Sequence, residues 1–203
     1  MKFIDLHVHS NLSSGGNTPE EMLEHAKELG IEAGLCDGRR GEHISGSEIH
    51  AGSKGDFQKA LSKAASVGYV VVHGGDYNIN RLAVSSSRVD ILAHPDLGRK
   101  DSGIDAVLAR EAAENNVAIE VNLGSIIKSR GSSRVYVLKN IRRNLMLSRK
   151  YKFDLVAASG AKSRLELRDA NGVFELLKLI GFTEEEALSA MEKNPDKILN
   201  RRR

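Results

Sequence analysis

The chain has very few cysteine and aromatic residues. Cys36 is the one cysteine among 203 residues, which excludes an internal disulfide and predicts a reducing, cytoplasmic compartment. Because it ends an apolar segment, Cys36 is expected to be a buried structural thiol. Tryptophan is absent and aromatic residues make up 4%, so the sequence offers no pair of rings for stacking unpaired bases.

Long hydrophobic runs are also missing. No segment approaches the roughly 18 apolar residues of a membrane-spanning helix, so no membrane partner is expected. Acidic and histidine residues begin at Asp5, which argues against a signal peptide. With 40% hydrophobic residues, the chain is expected to form one domain over 1–203 with a substantial core.

Charge is unevenly distributed along the chain. Residues 1–98 carry 9 Lys or Arg against 13 Asp or Glu, a net of −4, whereas residues 99–203 carry 21 against 14, a net of +7. Most of the excess lies in 128–168, where 12 basic residues face only Asp154 and Glu166. Solvated surfaces usually mix the two signs, so this asymmetry predicts a polyanionic partner.

Short apolar segments alternate with helical segments along the whole chain. Seven β/α units in one domain predict an α/β fold, a single parallel (β/α)7 barrel of the TIM-like type, rather than an open doubly wound sheet. No G-x-G-x-x-G follows the first strand, which argues against a dinucleotide-binding fold. The predicted strands are Phe3–His7, Ile31–Cys36, Gly46–His50, Tyr69–His73, Val89–Ala93, Val117–Val121 and Phe153–Ala157.

Helix-start signals lie between these strands. Thr18 opens a capping box, with proline at the first helical position and glutamate at the third. Ser102 with Asp105, and Thr183 with Glu186, are expected to start helices in the same way.

The period of two along a strand predicts which side chains share a face. In the first strand, Ile4, Leu6 and Val8 are expected to pack against the outer helices, leaving His7 and His9 on the opposite face. Barrel enzymes place their sites at the carboxyl ends of the strands, so polar residues there are the candidates for function. The same rule aligns Asp90 with Leu92 and His94, and Ala118 with Glu120 and Asn122.

The segment Asp5-Leu6-His7-Val8-His9-Ser10 resembles the entry motif of the PHP phosphoesterases. Together with His94, Glu48 and Asp37, its two histidines resemble part of that superfamily's ligand set, and such donors suit Zn²⁺ or Mn²⁺. The barrel is therefore expected to be of the PHP type. The other ligand positions of the motif are interrupted: they read Ser14, Gly38 and, in place of a final Asp-x-His, Ser159-Gly160-Ala161-Lys162.

These interruptions argue against a trinuclear metal centre. They leave at most one weakly held Zn²⁺ or Mn²⁺ ion, on His7, His9 and His94, and the alternative is a hydrogen-bonded polar plug without an ion. The other four histidines belong to no complete pattern: His25 is expected to be exposed, and His43, His50 and His73 to be hydrogen-bonded polar residues rather than ligands. Neither a nucleophile elbow nor a P-loop is present.

A second resemblance covers essentially the whole chain and is strongest over 89–170. It rests on Val89-Asp90-Ile91-Leu92-Ala93-His94-Pro95, Arg99-Lys100-Asp101-Ser102-Gly103-Ile104-Asp105, Asn115-Asn116-Val117-Ala118-Ile119-Glu120-Val121, Ala158-Ser159-Gly160-Ala161-Lys162-Ser163 and Leu167-Arg168-Asp169. This order resembles archaeal ribonuclease P protein component 3, the relative of the eukaryotic thirty-kilodalton subunit. That family has a PHP-like barrel whose metal chemistry is largely lost.

The resemblance implies a non-catalytic subunit of an endoribonuclease in which RNA removes 5′ leaders from precursor tRNA. The implied partners are ribonuclease P RNA, precursor tRNA in the holoenzyme, protein component 2 and other protein subunits. The chain itself would require no cofactor, whereas the holoenzyme would use Mg²⁺. Two other functions stay open, a stand-alone metal-dependent PHP-type phosphoesterase and a protein-only nuclease.

Basic residues of the C-terminal half are expected to contact RNA phosphates and to release counterions. They follow successive strands, and consecutive β/α loops are neighbours on a barrel rim. A helix predicted from about Ser132 to Lys150 is amphipathic, and its basic residues fit solvent as well as RNA. The predicted RNA-binding residues are Arg99, Lys100, Lys128, Arg130, Lys162, Arg164 and Arg168.

Overall fold

Seven strands form where the apolar segments predict them, each within a few residues. The computed structural model describes residues 1–39, 41–64 and 68–201. The strands are β1 (Ile4–Val8), β2 (Glu32–Leu35), β3 (Gly46–Ile49), β4 (Tyr69–His73), β5 (Ile91–Ala93), β6 (Ala118–Asn122) and β7 (Leu155–Ala158).

Helices separate most of the strands. A 3₁₀ turn covers Arg164–Glu166, and a π-helical turn over Ser189–Lys193 joins the last two helices. None of the described helices is long and apolar enough to cross a membrane. The helices are α1 (Pro19–Glu28), α2 (Lys54–Ala64), α3 (Tyr77–Val84), α4 (Ala106–Asn115), α5 (Leu123–Lys128), α6 (Gly131–Tyr151), α7 (Ala170–Ile180), α8 (Glu184–Leu188) and α9 (Asn194–Arg201).

The strands are parallel but fall into two sheets. β1 pairs with β2, and β3 to β7 form a five-stranded sheet in chain order. Single parallel bridges connect the two sheets, from Val8 to Ala161 and from Leu35 to Ser45. The predicted parallel α/β architecture is confirmed, whereas the residues that the structure describes form two sheets instead of one seven-stranded sheet, with β1 and β5 in different sheets.

Two of the three predicted helix starts are correct. Thr18 and Thr183 each form a reciprocal capping box with the glutamate three residues later, which satisfies amide groups that the first helical turn leaves without partners. The prediction for Ser102 is wrong. Asp105 is the N-cap of α4 and accepts from two backbone amides, while the Ser102 hydroxyl donates to the Ile104 carbonyl oxygen.

An irregularity in β1 overturns part of the predicted alternation. Asp5 pairs with Ala33 and Val8 with Leu35, so three steps along β1 match two along β2. A bulge of this kind turns the following side chains. Val8 therefore packs with the helices, whereas Ile4 and Leu6 join a second buried cluster with residues of β4 to β7, contrary to the predicted outer packing.

The alternation also fails after β5. Leu92 lies in the cluster that the helices cover, whereas its neighbours Ile91 and Ala93 lie in the inner one. His94 has a φ of 29°, outside the extended region, and this conformation lets its side chain reach the inner residues instead of following Leu92.

Candidate metal centre and basic rim

The Glu48 carboxylate lies at the centre of a histidine cluster. It is positioned by β3, whose parallel pairing with β4 sets Glu48 opposite Val71. The Glu48 side chain is 5% exposed, so its charge is compensated by groups around it rather than by bulk water. The imidazole nitrogens around it are His50 Nε2 at 2.7 Å, His73 Nδ1 at 3.0 Å, His7 Nε2 at 3.3 Å, His9 Nε2 at 3.5 Å and His94 Nε2 at 3.8 Å.

These histidines come from the carboxyl ends of neighbouring strands. His7 lies on β1, His73 ends β4 and His94 follows β5, while His9 and His50 directly follow β1 and β3. The structure thus confirms that polar residues of separate segments converge at one end of the strands. Although burial opposes ionisation, hydrogen bonds from His50 and His73 and the nearby imidazoles of His7 and His94 hold the pKa of Glu48 far below its usual value.

Glu120 on β6 is a second buried carboxylate of the cluster. Its Oε1 lies 2.7 Å from His7 Nδ1, and its Oε2 accepts from the His94 backbone amide at 2.7 Å. Burial disfavours a charged imidazole, but Glu120 and then Glu48 raise the pKa of His7 well above its usual value. Glu120 therefore fixes the orientation of His7 and holds the backbone that presents His94.

A hydrogen-bonded chain orients His9. The Ser13 hydroxyl donates to Asp37 Oδ1 at 2.6 Å, so Ser13 Oγ can accept from His9 Nδ1 at 3.1 Å. Burial and the neighbouring His7 lower the pKa of His9 to about 4. The contact with Ser13 orients the ring so that His9 Nε2 lies 3.5 Å from Glu48 Oε2, as a partner on the second ring nitrogen does for histidines at metal sites.

Several buried polar atoms lack hydrogen-bond partners within the described structure. They include His7 Nε2 and His94 Nδ1, and His7 Nε2 approaches Glu48 at 3.3 Å without hydrogen-bond geometry. Buried polar groups are rarely left in this state. A divalent cation that takes the place of the His7 proton would give Nε2 a partner, and the nitrogen and oxygen donors present suit Zn²⁺ or Mn²⁺.

Three groups of side chains bring their ligand atoms within 4.8 Å of one another. His7 shares one group with His9 and another with His94, so the three predicted ligands do not meet in a single group among the described residues, and the sequence prediction did not include His50 and His73. His50 lies two residues after Glu48, and His73 two residues after Val71, so strand periodicity carried the missing signal. The groups are His7 with His94 and Glu120, His7 with His9 and Glu48, and Glu48 with His50 and His73.

Asp37 and Asp5 lie beside the cluster but belong to none of its three ligand groups. Asp37 accepts from the hydroxyl groups of Ser10 and Ser13, each at 2.6 Å, and acts on the site through His9. Asp5 accepts from the backbone amides of His7 and Ser159, and burial raises its pKa to about 6. His25 was expected to be exposed and is partly exposed. It pairs with Glu28 on α1, away from the cluster.

Two of the predicted RNA-binding lysines line the same cleft as the histidines. The cleft has a volume of about 250 Å³, with Lys128 and Lys162 among its lining residues. Lys128 ends α5 rather than lying in a loop, and its ammonium group is 2.8 Å from Glu166 Oε1. Lys162 makes no ion pair with any residue that the structure describes.

The other predicted RNA-binding residues differ in how many hydrogen bonds their side chains already make. Arg99 makes two hydrogen bonds to Asp101, at 2.7 and 2.9 Å, and a third to the Gly75 carbonyl oxygen. Arg168 donates to two nearby backbone carbonyl groups. The exposed residues Lys100, Arg130 and Arg164 complete the predicted set.

The parallel strands, alternating helices and the cluster of histidines, carboxylates and lysines at the strand ends define a parallel α/β protein of the TIM-barrel-like kind. Residues 36–203 match the model of the family described as RNase P subunit p30. Ribonuclease P protein component 3 of Methanosarcina barkeri is 36% identical over 219 aligned residues, covering 100% of this chain and 90% of the relative. That of Methanococcoides burtonii is 38% identical, covering 99% and 88%. The chain belongs to the RNase P subunit p30 family and is a protein subunit of ribonuclease P.

A solved structure supports the same assignment. A chain in the cryo-EM structure of archaeal ribonuclease P with mature tRNA is similar with a TM-score of 0.80 and 26% identity, over 98% of this chain and 90% of the other. Because it covers 98% of this chain, the shared fold includes the segment before residue 36, which the family model does not match.

Proposed function

We propose that this subunit supports, but does not itself catalyse, the removal of 5′ leaders from precursor tRNA by the RNA of ribonuclease P. Similarity over the full chain to ribonuclease P protein component 3 is the observation that carries the proposal. The partners are ribonuclease P RNA, precursor tRNA in the holoenzyme, protein component 2 and the other protein subunits. Mg²⁺ serves the RNA in this assembly, which works in the cytoplasm, as the single cysteine predicts.

Reconstitution tests this role. Ribonuclease P RNA and the remaining archaeal protein components are assembled with and without the chain, and 5′-leader release is followed over a range of Mg²⁺ concentrations. The chain should enter the complex and raise leader release at limiting Mg²⁺. Equal rates with and without the chain, at equal RNA integrity, would contradict the proposal.

We propose that the basic rim contacts RNA phosphates. Lys128 and Lys162 lie at the cleft, and Lys162 has no competing ion pair within the described structure. Arg99 is already neutralised by Asp101, so its contribution should be smaller. Lys100, Arg130, Arg164 and Arg168 complete the proposed surface, whose contacts would recognise backbone and shape rather than bases.

We also propose that the two sheets close into one (β/α)7 barrel of the PHP type. The single bridges between Val8 and Ala161, and between Leu35 and Ser45, support this closure. The His9 amide donates to the Ala161 carbonyl oxygen at 2.9 Å, which adds a hydrogen bond between the first strand's end and the segment after β7.

One weakly held Zn²⁺ or Mn²⁺ ion is proposed on His7, His9 and His94, with Glu48 as a further ligand. The unpartnered His7 Nε2, and the ligand atoms of His7, His9 and Glu48 lying within 4.8 Å of one another, support this site. A bound ion of this kind can act as a Lewis acid and lower the pKa of water. Here Lys162 lines the same cleft and weakens cation binding by charge repulsion.

The histidine cluster also favours a second candidate function, a metal-dependent phosphoesterase. Five imidazole groups surround the Glu48 carboxylate, although hydrogen bonds from His50 and His73 already satisfy both of its oxygens. Purified chain is incubated with Mn²⁺ and p-nitrophenyl phosphate, and product formation is compared with that of a His7→Ala variant of equal unfolding midpoint. Turnover that disappears in the variant would support the enzyme, and no turnover in either protein would exclude this substrate class.

A further inference from the structure

A loop of the basic rim, residues 95–104 between β5 and α4, is buried at both ends and most exposed in the middle. We call its exposed part, residues 97–101, the tip of the loop. The tip carries Leu97, which lines the cleft, and the predicted RNA-binding residues Arg99 and Lys100. The position of the tip therefore decides where these side chains meet a partner.

The two ends of the loop lie directly against each other. The Asn80 side chain on α3 donates to the carbonyl oxygens of Pro95 and Gly103, at 2.9 and 3.1 Å. Gly103 has a φ of 70°, and a Cβ atom added to it would collide with the Pro95 carbonyl oxygen, so this position requires glycine. The loop is thus closed at its base by α3.

A second helix holds the loop through two buried asparagines. Asn140 and Asn144 lie one helical turn apart on α6 and are 2% and 5% exposed. Asn140 Nδ2 donates to Asp96 Oδ2, and Asn144 Nδ2 donates to the Ser102 carbonyl oxygen, each at 3.2 Å. Because Asp96 precedes the tip and Ser102 follows it, α6 holds the loop on both sides of the tip.

Stability alone does not explain these two asparagines. The other buried residues of α6 are apolar, namely Ile141, Leu145 and Leu147. Asn144 Oδ1 is buried without a hydrogen-bond partner in the described structure, and an unpaired buried group of this kind costs stability. Polar groups kept in an apolar helix face at such a cost fit a role in fixing the position of the loop.

We infer that Asn140 and Asn144 are positioning residues for RNA binding, which hold the tip so that Lys100 meets RNA phosphates in a fixed place. The inference rests on the proposed contact between the basic rim and RNA. Lys100 is exposed and forms no ion pair within the described structure, whereas Arg99 binds the Gly75 carbonyl oxygen and Asp101 and thereby anchors the tip. A contact segment that is ordered before binding loses less conformational freedom on binding, and so binds more tightly.

Limited proteolysis tests whether the asparagines hold the tip. Trypsin cleaves after Arg and Lys, so cuts after Arg99 and Lys100, counted by mass spectrometry relative to cuts elsewhere, report local opening. Asn140→Ala and Asn144→Ala should be cut there roughly three- to tenfold faster than wild type, because each lost hydrogen bond eases local opening. An unchanged relative rate in both variants would overturn the inference.

Leu145→Ala is the matched control for both experiments. Leu145 is buried on the same helix but lines a separate cavity with Phe153 and Phe182. Its loss should lower the unfolding midpoint without raising the relative rate of cleavage at the tip. Faster cleavage at the tip in this variant as well would show that any destabilisation of α6 frees the loop, and would overturn the specific role of the asparagines.

RNA affinity in the complex with protein component 2 tests the link to binding. Asn144→Ala should weaken binding of ribonuclease P RNA roughly three- to tenfold, because the tip must then be ordered on binding, while Leu145→Ala should not, at a temperature where both are folded. Lys100→Ala should weaken binding in the wild-type background and have little further effect in Asn144→Ala, since a positioning role makes the two losses non-additive.

Additive losses, or an unchanged affinity of Asn144→Ala, would overturn the positioning role. Where Asn144→Ala does not fold, Asn144→Leu removes the same hydrogen bond at similar side-chain volume. No effect of Lys100→Ala in the wild-type background would also overturn the inference, because the tip would then not contact RNA. That result would leave the role in ribonuclease P standing, since 5′-leader release by the reconstituted complex tests it separately.

Discussion

At the residue scale, neighbouring groups decide what each carboxylate and imidazole can do. The His-x-His segment was recognisable because both ligands lie within three positions of the sequence. His50 and His73 were not recognisable as members of the cluster, since each is an isolated histidine in the sequence. Only the fold brings both of them into contact with Glu48. The ligand role of His7, His9 and His94 stays a prediction, and the hydrogen bonds predicted for His50 and His73 are present, both to Glu48.

A surface pair gives a prediction for the pH dependence of stability. Two hydrogen bonds from Arg149 are the main reason that the pKa of Glu186 falls to about 2, from an ordinary value of 4.5. Since the folded-state pKa is depressed, this stabilisation is fully present above about pH 4.5 and is lost as the pH falls toward 2. Glu186→Gln should cost about 1 kcal/mol at pH 7, because the pair is partly exposed and also closes a capping box.

Thermal unfolding between pH 7 and pH 2 measures this effect. The difference between wild type and Glu186→Gln should narrow as the solution is acidified. Glu185→Gln, an exposed neighbour on α8, is the control and should leave the unfolding midpoint nearly unchanged at every pH. A constant difference for Glu186→Gln across this range would show that its charge is not what stabilises the helix.

At the element scale, strand positions were predictable but the direction of some side chains was not. Short apolar segments mark most of the strands, whereas the bulge in β1 depends on how that strand pairs with β2. The left-handed conformation of His94 likewise depends on contacts from β6, where Glu120 accepts its backbone amide. Such long-range causes leave no local sequence pattern.

Asn80 on α3 links three loop segments and provides a test at this scale. Its side chain is fully buried, accepts from the Gly75 amide at 3.0 Å and donates to the carbonyl oxygens of Pro95 and Gly103 at 2.9 and 3.1 Å. Asn80→Ala should destabilise the protein by about 2 kcal/mol because buried backbone groups lose their partners. Chemical denaturation measures this, with the exposed Asn78→Ala as control. Equal midpoints for the two variants would refute the role of Asn80.

At the scale of the whole molecule, the uneven charge distribution predicted a polyanionic partner. It did not predict which Lys and Arg side chains lack an ion pair. Arg99 forms an ion pair with Asp101, and Lys128 forms one with Glu166. Lys162 forms no ion pair within the described structure. The acidic partners lie close by in sequence or on an adjacent loop, and composition alone could not pair them.

RNA affinity measured against salt tests this ranking. In the complex with protein component 2, Lys162→Ala should weaken RNA binding and reduce the salt slope by roughly one unit, as expected for one lost phosphate contact. Lys128→Ala and Arg99→Ala should have smaller effects, because their charges are already compensated. Each variant must keep the wild-type unfolding midpoint. An unchanged slope in all three would move the RNA contact to α6 or to the partner protein.

In our proposal, RNA and not this chain cleaves precursor tRNA. The most direct measurement is 5′-leader release by the reconstituted holoenzyme before and after digestion of its RNA by a nuclease that is then inactivated, with the chain alone assayed in Mg²⁺ and in Mn²⁺. We predict that release stops when the RNA is digested and that the chain alone releases no leader. Leader release by the chain alone, lost in a His7→Ala variant, would contradict the account and make the histidine cluster a nuclease site.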